Sequence, residues 1–394
     1  MTDVRHPAFV LSFVLFLFPL HADGQSSTSV HPTQNLIGLS ALTKVGAEYW
    51  SAGGAGVAEI GLSSAPLANP AGAQLLRTTI FFEIGQRLPT TWLGGYDYDG
   101  QFLFPTYAAV GFPGKQWILS AGYANQYDLF LSLEQSLDVA QALAGKSEVF
   151  TSERAVVVHS FFGSACFRPD TSFALGLTFG VNYLTLSDQP WDASVDGSGV
   201  GLFVVAGGEW EIVRSVRLGG TVRLATTIKP SVDYAAAPLT PTLPRGLLKT
   251  GESQPARPSY SACFPFIAEL GGAWDAFEWL NLQASVEFQH WSSVSGAYHD
   301  QWQVHVGTRV QASPALLFSV GFFTAKEPSV NAGSFLDQNF VTAGVRWVAS
   351  PRIALDFSIL DSHLFENQVP ADSTGTPMNA FHQTHICLGV EYTF

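Results

Sequence analysis

The chain has 394 residues, of which 47% are hydrophobic and only 13% charged, with 37 Gly, 30 Phe, 11 Tyr and 10 Trp. The charged share is about half the roughly 25% usual for soluble domains, and 19 Lys+Arg against 32 Asp+Glu give a net charge of −13, so a disordered chain and a nucleic-acid binder are both excluded. Beyond the first 22 residues no uncharged apolar run reaches the roughly 20 residues of a spanning helix, which leaves a large β-rich protein.

In chain order, Arg5 precedes an apolar stretch from Ala8 to Leu20. That is the length of a signal-peptide core and too short for a membrane span, so residues 1–22 read as a secretory signal cleaved near Ala22. Residues 23–74 contain no alternating run and are rich in Gly, Ala and Ser.

From residue 75 onward, segments alternate apolar and polar residues with period 2, the mark of strands with two unlike faces. The predicted strands are Leu75–Gln86, Leu103–Val110, Trp117–Asn125, Ala155–Ala165, Phe173–Leu184, Gly199–Trp210, Val216–Thr227, Pro265–Trp274, Leu280–Trp291, Gln303–Gln311, Leu316–Thr324, Asn339–Val348, Ile353–Leu360 and Thr384–Phe394. In Leu280–Trp291, Leu280, Leu282, Ala284, Val286 and Phe288 share one face, and Asn281, Gln283, Ser285, Glu287 and Gln289 the other. The fourteen strands are joined by alternately short and long gaps, the longest being 126–154 and 228–264. This is the loop pattern of an outer-membrane barrel. A soluble β-sandwich also alternates along its strands, but it does not predict this regularity. Nor does it predict Trp210, Trp274, Trp279, Trp291, Trp302 and Trp347 near strand ends, where interface girdles form. Residues 75–394 therefore read as an all-β, 14-stranded antiparallel transmembrane β-barrel. Its lumen is too wide for its own side chains to fill, which makes residues 23–74 the plug.

Loop 126–154 has Leu129, Leu133, Leu137, Ala140 and Leu143 at spacings of three and four, which predicts an amphipathic external helix. Loop 228–264, with Pro230, Pro238, Pro241, Pro244, Pro255 and Pro258, predicts an extended cover over the mouth.

Several stretches resemble the FadL/TodX family of outer-membrane transporters for hydrophobic compounds. Gly53-Gly54-Ala55-Gly56-Val57-Ala58 followed by Asn69-Pro70-Ala71-Gly72 is similar to the family's hatch signature. Trp117–Gly122 resembles its third strand, Leu218–Arg223 its lGxxYR strand with Val222 in place of Tyr, and Phe288–Ser292 its dWs strand end with His290 in place of Asp. Gly389–Phe394 is similar to its C-terminus, where Ile386, Leu388, Val390, Tyr392 and Phe394 alternate outward as in the signal read by the barrel-assembly machinery. The resemblance identifies a divergent member of the family. It implies residence in outer-membrane lipid, a hatch in the lumen, and transport of a hydrophobic small molecule such as a long-chain fatty acid or hydrocarbon. External loops would capture the ligand, and it would leave sideways through the wall when the hatch shifts. The alternatives are a scaffold for secretion or binding and an open porin for polar solutes.

On this reading Leu129, Leu133 and Leu137 form the external ligand groove. Phe203 and Val205, apolar in a luminal phase, line a pocket, and Gly122 marks the kink that opens the wall. Arg217, Arg223, Arg309, Arg346 and His305 share the inward phase and could meet a carboxylate. Glu287, Asp356 and Glu391 share it too, so a structural ion-pair network reaching Glu48 and Glu59 of the plug competes with that role. Neither a phosphate loop nor HExxH nor paired CxxC is present, and His159 and Ser160 face opposite sides of a strand, so no catalytic residue, metal or cofactor is expected. Cys166 and Cys263 are expected on opposite rims, and all three cysteines, with Cys387, unpaired.

Overall fold

The computed structural model describes residues 33–35, 44–75, 77–88, 90–92, 96–98, 104–137, 148–189, 193–236, 259–326, 328, 337–364 and 383–394. Fourteen strands form the closed wall: β1 Thr79–Arg87, β2 Phe104–Pro113, β3 Trp117–Leu137, β4 Glu148–Phe167, β5 Phe173–Gln189, β6 Ala193–Val213, β7 Val216–Arg223, β8 Phe266–Phe277, β9 Leu280–His290, β10 Gln301–Ser313, β11 Leu316–Ala325, β12 Gln338–Ser350, β13 Ile353–Asp361 and β14 Thr384–Thr393. Each pairs antiparallel with the next, and β14 closes on β1 through Thr79↔Thr393 to Arg87↔His385. The wall is thus the all-β, 14-stranded antiparallel barrel that the alternation predicts.

The faces follow the same phase. In β9, Gln283, Ser285, Glu287 and Gln289 are buried inside while Ala284 and Val286 are exposed outside. The outer surface carries Phe82, Leu119, Leu177, Leu202, Leu270, Val304 and Val320, all exposed. Such a belt is stable only against hydrocarbon. Among the described residues no helix is long and apolar enough to cross a membrane; the apolar surface lies on strands. Trp117, Trp210, Trp274, Trp279 and Trp347 are exposed beside the short turns, and Trp302 beside the opposite rim. Trp291 departs from the expected girdle. It is buried, with Nε1 donating to Gln289 Oε1 at 2.6 Å, because the chain turns inward there in a short 3₁₀ helix, Trp291–Ser293.

The predicted helix in 126–154 is not formed. β3 continues to Leu137 and pairs with β4, placing Leu129 opposite Val156, Leu133 opposite Ser152 and Leu137 opposite Glu148; residues 138–147 lie outside the described part. The gap at 185–198 is likewise mostly strand, since β5 and β6 leave only residues 190–192 between them. At about 3.3 Å per residue, the 21 residues of β3 span ~70 Å, more than twice the ~25 Å apolar band. Strands β3 to β6 therefore rise past the belt as a wall, extended by Ser231–Ala236 against the outer half of β6.

Loop 228–264 is extended at its described ends, as its prolines predict, but it also enters the barrel. After β7 the chain leaves the wall, and Thr226–Ile228 pairs with Ser259–Phe264, which in turn pairs in parallel with Thr33–Asn35. Gly199 and Gly201 of β6 admit this insertion, because a Cβ at either position would press on Ile228. Residues 237–258 lie outside the described part.

The outward phase leads to a direct test. Replacing Val286, exposed on the outer face of β9, with Arg should destabilise the barrel by about 2–4 kcal/mol, as for a cation near the bilayer midplane. Val286→Leu should be nearly neutral, and urea unfolding from phospholipid vesicles measures the difference.

Candidate functional site in the barrel lumen

Of the expected plug, 23–74, the described residues from 44 onward form short pieces: α1 Ala47–Ser51, a 3₁₀ turn Gly56–Ala58, α2 Ala65–Ala68 and a 3₁₀ turn Pro70–Gly72. α1 packs against β11 to β14, Gly56–Ala58 against β7 to β9, and Pro70–Gly72 against β4 to β6. Contact with walls all round a closed barrel places the segment in the lumen.

Backbone-to-wall contact is possible because the wall drops its side chains where the plug passes. A Cβ on Gly207 would overlap Asn69 Oδ1, and one on Gly176 the Pro70 carbonyl carbon. The Asn-Pro-Ala-Gly motif is held at this point. Asn69 Nδ2 donates to Val57 O at 2.6 Å and to Gly208 O at 3.1 Å, while Asn69 Oδ1 caps the next turn by accepting from Ala71 N at 3.1 Å. The Ala71 carbonyl accepts from Cys166 Sγ at 3.4 Å and Arg168 Nη2 at 3.3 Å. Cys166 ends β4 near a short turn, whereas Cys263 lies in the inserted strand Ser259–Phe264. In the glycine-rich motif, Gly53 and Gly54 take φ of 68° and 65°, open to residues without a side chain. Gly53 N then donates to Thr342 Oγ1 at 3.0 Å, and Gly53 O accepts from His305 Nδ1 at 2.9 Å.

Luminal charges are tied to the plug. Arg309 contacts Glu48 at 3.4 Å, and Arg346 contacts Glu48 at 3.2 Å, Asp356 at 3.0 Å and also Glu391. Arg217 bridges Glu59 at 3.3 Å and Asp275 at 3.1 Å. Burial pushes the Glu59 carboxyl above its ordinary range, against the pull of Arg309 and Arg217. Of the two roles open to these arginines, the ion-pair network is the one formed. Arg309 and Arg346 do not line an apolar pocket, because both sit near the short turns where the carboxylates of the plug and wall converge. Arg223 lies higher, its Nη1 donating to Gln126 Oε1 at 2.8 Å and its guanidinium 5.8 Å from the centre of the Phe203 ring. Phe203 and Val205 do point inward, but they pack with Leu67, Tyr107 and Phe162 rather than line an open space.

Gly122 is not a kink. It pairs in register with Ala109 on one side and Phe162 on the other, and a Cβ there would strike the Phe162 ring, so its bareness makes room for that ring. Two register shifts do interrupt the wall away from the turns, at Gln126 in β3 and at Thr106 in β2, next to Pro105. They flank a cavity of about 50 Å³ lined by Lys44, Val45, Trp50, Glu83, Thr106, Asn125 and His385 among others. One water needs roughly 10–15 Å³ on this measure, so the cavity holds a few waters and no acyl chain.

Above the plug, the inner faces of β3 to β6 turn apolar. Tyr127, Val156, Val158, Leu184, Leu186 and Val195 form one buried cluster with Ile228, Tyr260, Ala262 and Phe264 of the inserted strands. Sequence reasoning missed this site, although Val156, Val158, Leu184 and Leu186 break the polar-inside pattern as Phe203 and Val205 do. The lumen is therefore two-storeyed, with a lower half in which the plug is held by ion pairs and by apolar packing of Tyr49, Trp50 and Leu67 on the wall, and an apolar upper half filled by the insertion. On the wall beside it, Ser160 Oγ faces inward to Asn182 Oδ1 at 2.6 Å while His159 Nδ1 meets Tyr123 at 2.8 Å, so the two are not a dyad.

Neither a family model nor a curated protein matches the sequence. Solved structures match the fold over nearly its whole length. A Pseudomonas aeruginosa FadL homologue superposes with a TM-score of 0.65 at 15% identity, covering 91% of this chain and 100% of that one. The Ralstonia pickettii toluene transporter TbuX gives 0.66 at 12% identity, covering 90% and 99%, and the P. putida toluene transporter TodX gives 0.68 at 12%, again 90% and 99%.

Because Glu48 alone among the described plug residues contacts both Arg309 and Arg346, Glu48→Ala should loosen α1. Leaving buried charge unpaired costs about 3–5 kcal/mol, so amide exchange across residues 47–58 should accelerate by about a hundredfold or more with the barrel intact, read by hydrogen-exchange mass spectrometry. With wall and comparisons in agreement, the chain has the fold of the FadL and TodX structures.

Proposed function

We propose that the protein is an outer-membrane channel that admits hydrophobic molecules, with long-chain fatty acids or hydrocarbons as its substrate class. The observation that carries this is the apolar upper lumen above a plugged, ion-paired lower lumen. A porin for polar solutes needs an open polar passage, whereas here the first compartment reached from the long-loop side is lined by Val156, Val158, Leu184 and Leu186. That compartment is occupied by Ile228, Tyr260 and Phe264, side chains of the same chemistry a hydrophobic ligand would offer. Entry then exchanges one apolar partner for another, with the inserted strands acting as a lid.

Onward passage requires the plug to move, since the cavity beside it holds only a few waters. The register shifts at Thr106 and Gln126 support a sideways exit through β1 to β3, because the ladder there is already interrupted. Leu129, Leu133 and Leu137 stand on β3 above the belt, where capture from the outside would begin. In this reading the C-terminal strand ending at Phe394 addresses the barrel-assembly machinery, and the chain performs no chemistry.

The test is uptake of a radiolabelled fatty acid and of toluene by cells carrying the wild type, the Val156→Asp/Leu186→Asp double variant or an empty vector. The two positions are register partners on β4 and β5. Each carboxylate placed in the apolar lining should weaken the hold on a hydrophobic ligand by on the order of 1 kcal/mol, so uptake should fall by about tenfold or more while the barrel still migrates as folded. Wild-type uptake no higher than the empty vector for either compound would defeat the transporter reading in favour of a binding or secretion scaffold.

A further inference from the structure

Glu269, Glu287 and His305 come from three consecutive strands at one height of the lumen. Glu269 and Glu287 are register partners across β8 and β9, and His305 of β10 is the partner of Ser285, two residues from Glu287. All three are buried, and one carboxylate oxygen from each Glu and a ring nitrogen of the His lie within 4.8 Å of one another. Like charges directly opposite on a sheet repel, so a cation must sit between them. Here it is Lys44 of the plug, whose Nζ is 2.8 Å from Oε2 of both carboxylates.

The surroundings go further than a salt bridge requires. Glu269 Oε1 accepts from Ser285 Oγ at 2.6 Å and Glu287 Oε1 from Gln289 Nε2 at 2.6 Å, which leaves both Oε2 atoms turned toward the cation. His305 Nδ1 donates to the Gly53 carbonyl, and its Nε2, fully buried, has no hydrogen-bond partner among the described residues. An imidazole fixed through Nδ1–H to a backbone carbonyl, with Nε2 left bare, is how metal-ligating histidines are held, and two oriented carboxylates lie within reach of this ring. One nitrogen and two oxygens suit Zn²⁺, which would draw them to about 3.3 Å apart at its usual bond lengths.

The geometry points to Glu269, Glu287 and His305 as a zinc site for which Lys44 is the resident competing cation, so that metal binding and seating of the Lys44 arm exclude one another. Zinc would displace the ammonium and free the Lys44 arm, while Gly53, bound to the back of His305, stays in place. The site is independent of what the channel carries.

The experiment titrates ZnCl₂ into the full-length barrel in detergent against a chromophoric chelator. Lys44→Met should bind one zinc at least tenfold more tightly than wild type, and adding Glu287→Gln or His305→Phe to it should abolish that gain. Equal zinc affinity in wild type and Lys44→Met, or a gain that survives both second changes, overturns the proposal. A second readout uses only the wild type, in case Lys44→Met fails to fold. Saturating zinc should speed amide exchange at residues 44–47 at least fivefold while leaving exchange around Thr342 unchanged, and no change at 44–47 overturns the proposal as well.

Discussion

The structure depends on one constraint: the inner face of this barrel is polar and charged, yet water is largely shut out of it. Glu269, Glu287, Arg309, Arg346 and Asp356 all face the lumen, where an ion without a partner costs several kcal/mol. The wall cannot satisfy these groups alone, because neighbours at one height, such as Glu269 and Glu287, carry the same sign. The plug supplies what is missing: Lys44 for the two glutamates, Glu48 for Arg309 and Arg346, and Glu59 for Arg217. Wall and plug are each electrostatically incomplete without the other.

The same dependence binds the plug to the wall at several points around the lumen. Its described part has little regular structure, only turns and helices of five residues or fewer, and it is held both by polar contacts at bare wall glycines and by packing of Tyr49, Trp50 and Leu67 against the wall. The upper lumen works by another rule. There Ile228, Tyr260 and Phe264 are held by apolar burial, which is non-directional and accepts a substitute of similar chemistry. In the proposed function, selectivity for hydrophobic molecules belongs to the upper storey and closure to the lower one.

The wall itself is asymmetric. β7 to β14 are close to the length that crosses the apolar belt, while β3 to β6 run to as many as 21 residues and stand above it. The raised side is also the side that holds the apolar cluster and one of the two mid-wall register shifts. The entry and sideways exit proposed above would thereby be gathered on one part of the circumference.

Much of this was legible along the chain. Period-2 alternation placed all fourteen strands and set the face of residues within their regular runs, because the face of a strand residue is set by the local backbone and by which solvent it must meet. The inward Arg309, Arg346, Phe203 and Val205, and the outward C-terminal residues to Phe394, are of this kind. What could not be read locally was decided by partners distant in sequence. Leu129, Leu133 and Leu137 are spaced by four, a spacing that keeps residues together on a helix and equally on one face of a strand; the ladder to β4 made the choice. Trp291 had a girdle tryptophan's position, yet the inward turn of its own chain buried it. Gly122 looked like a hinge, and the Phe162 ring across the ladder shows what its missing side chain admits. The arginines' phase was local information, but whether each would meet a ligand or a carboxylate depended on a plug far away along the chain, since charge is satisfied in space and not in sequence.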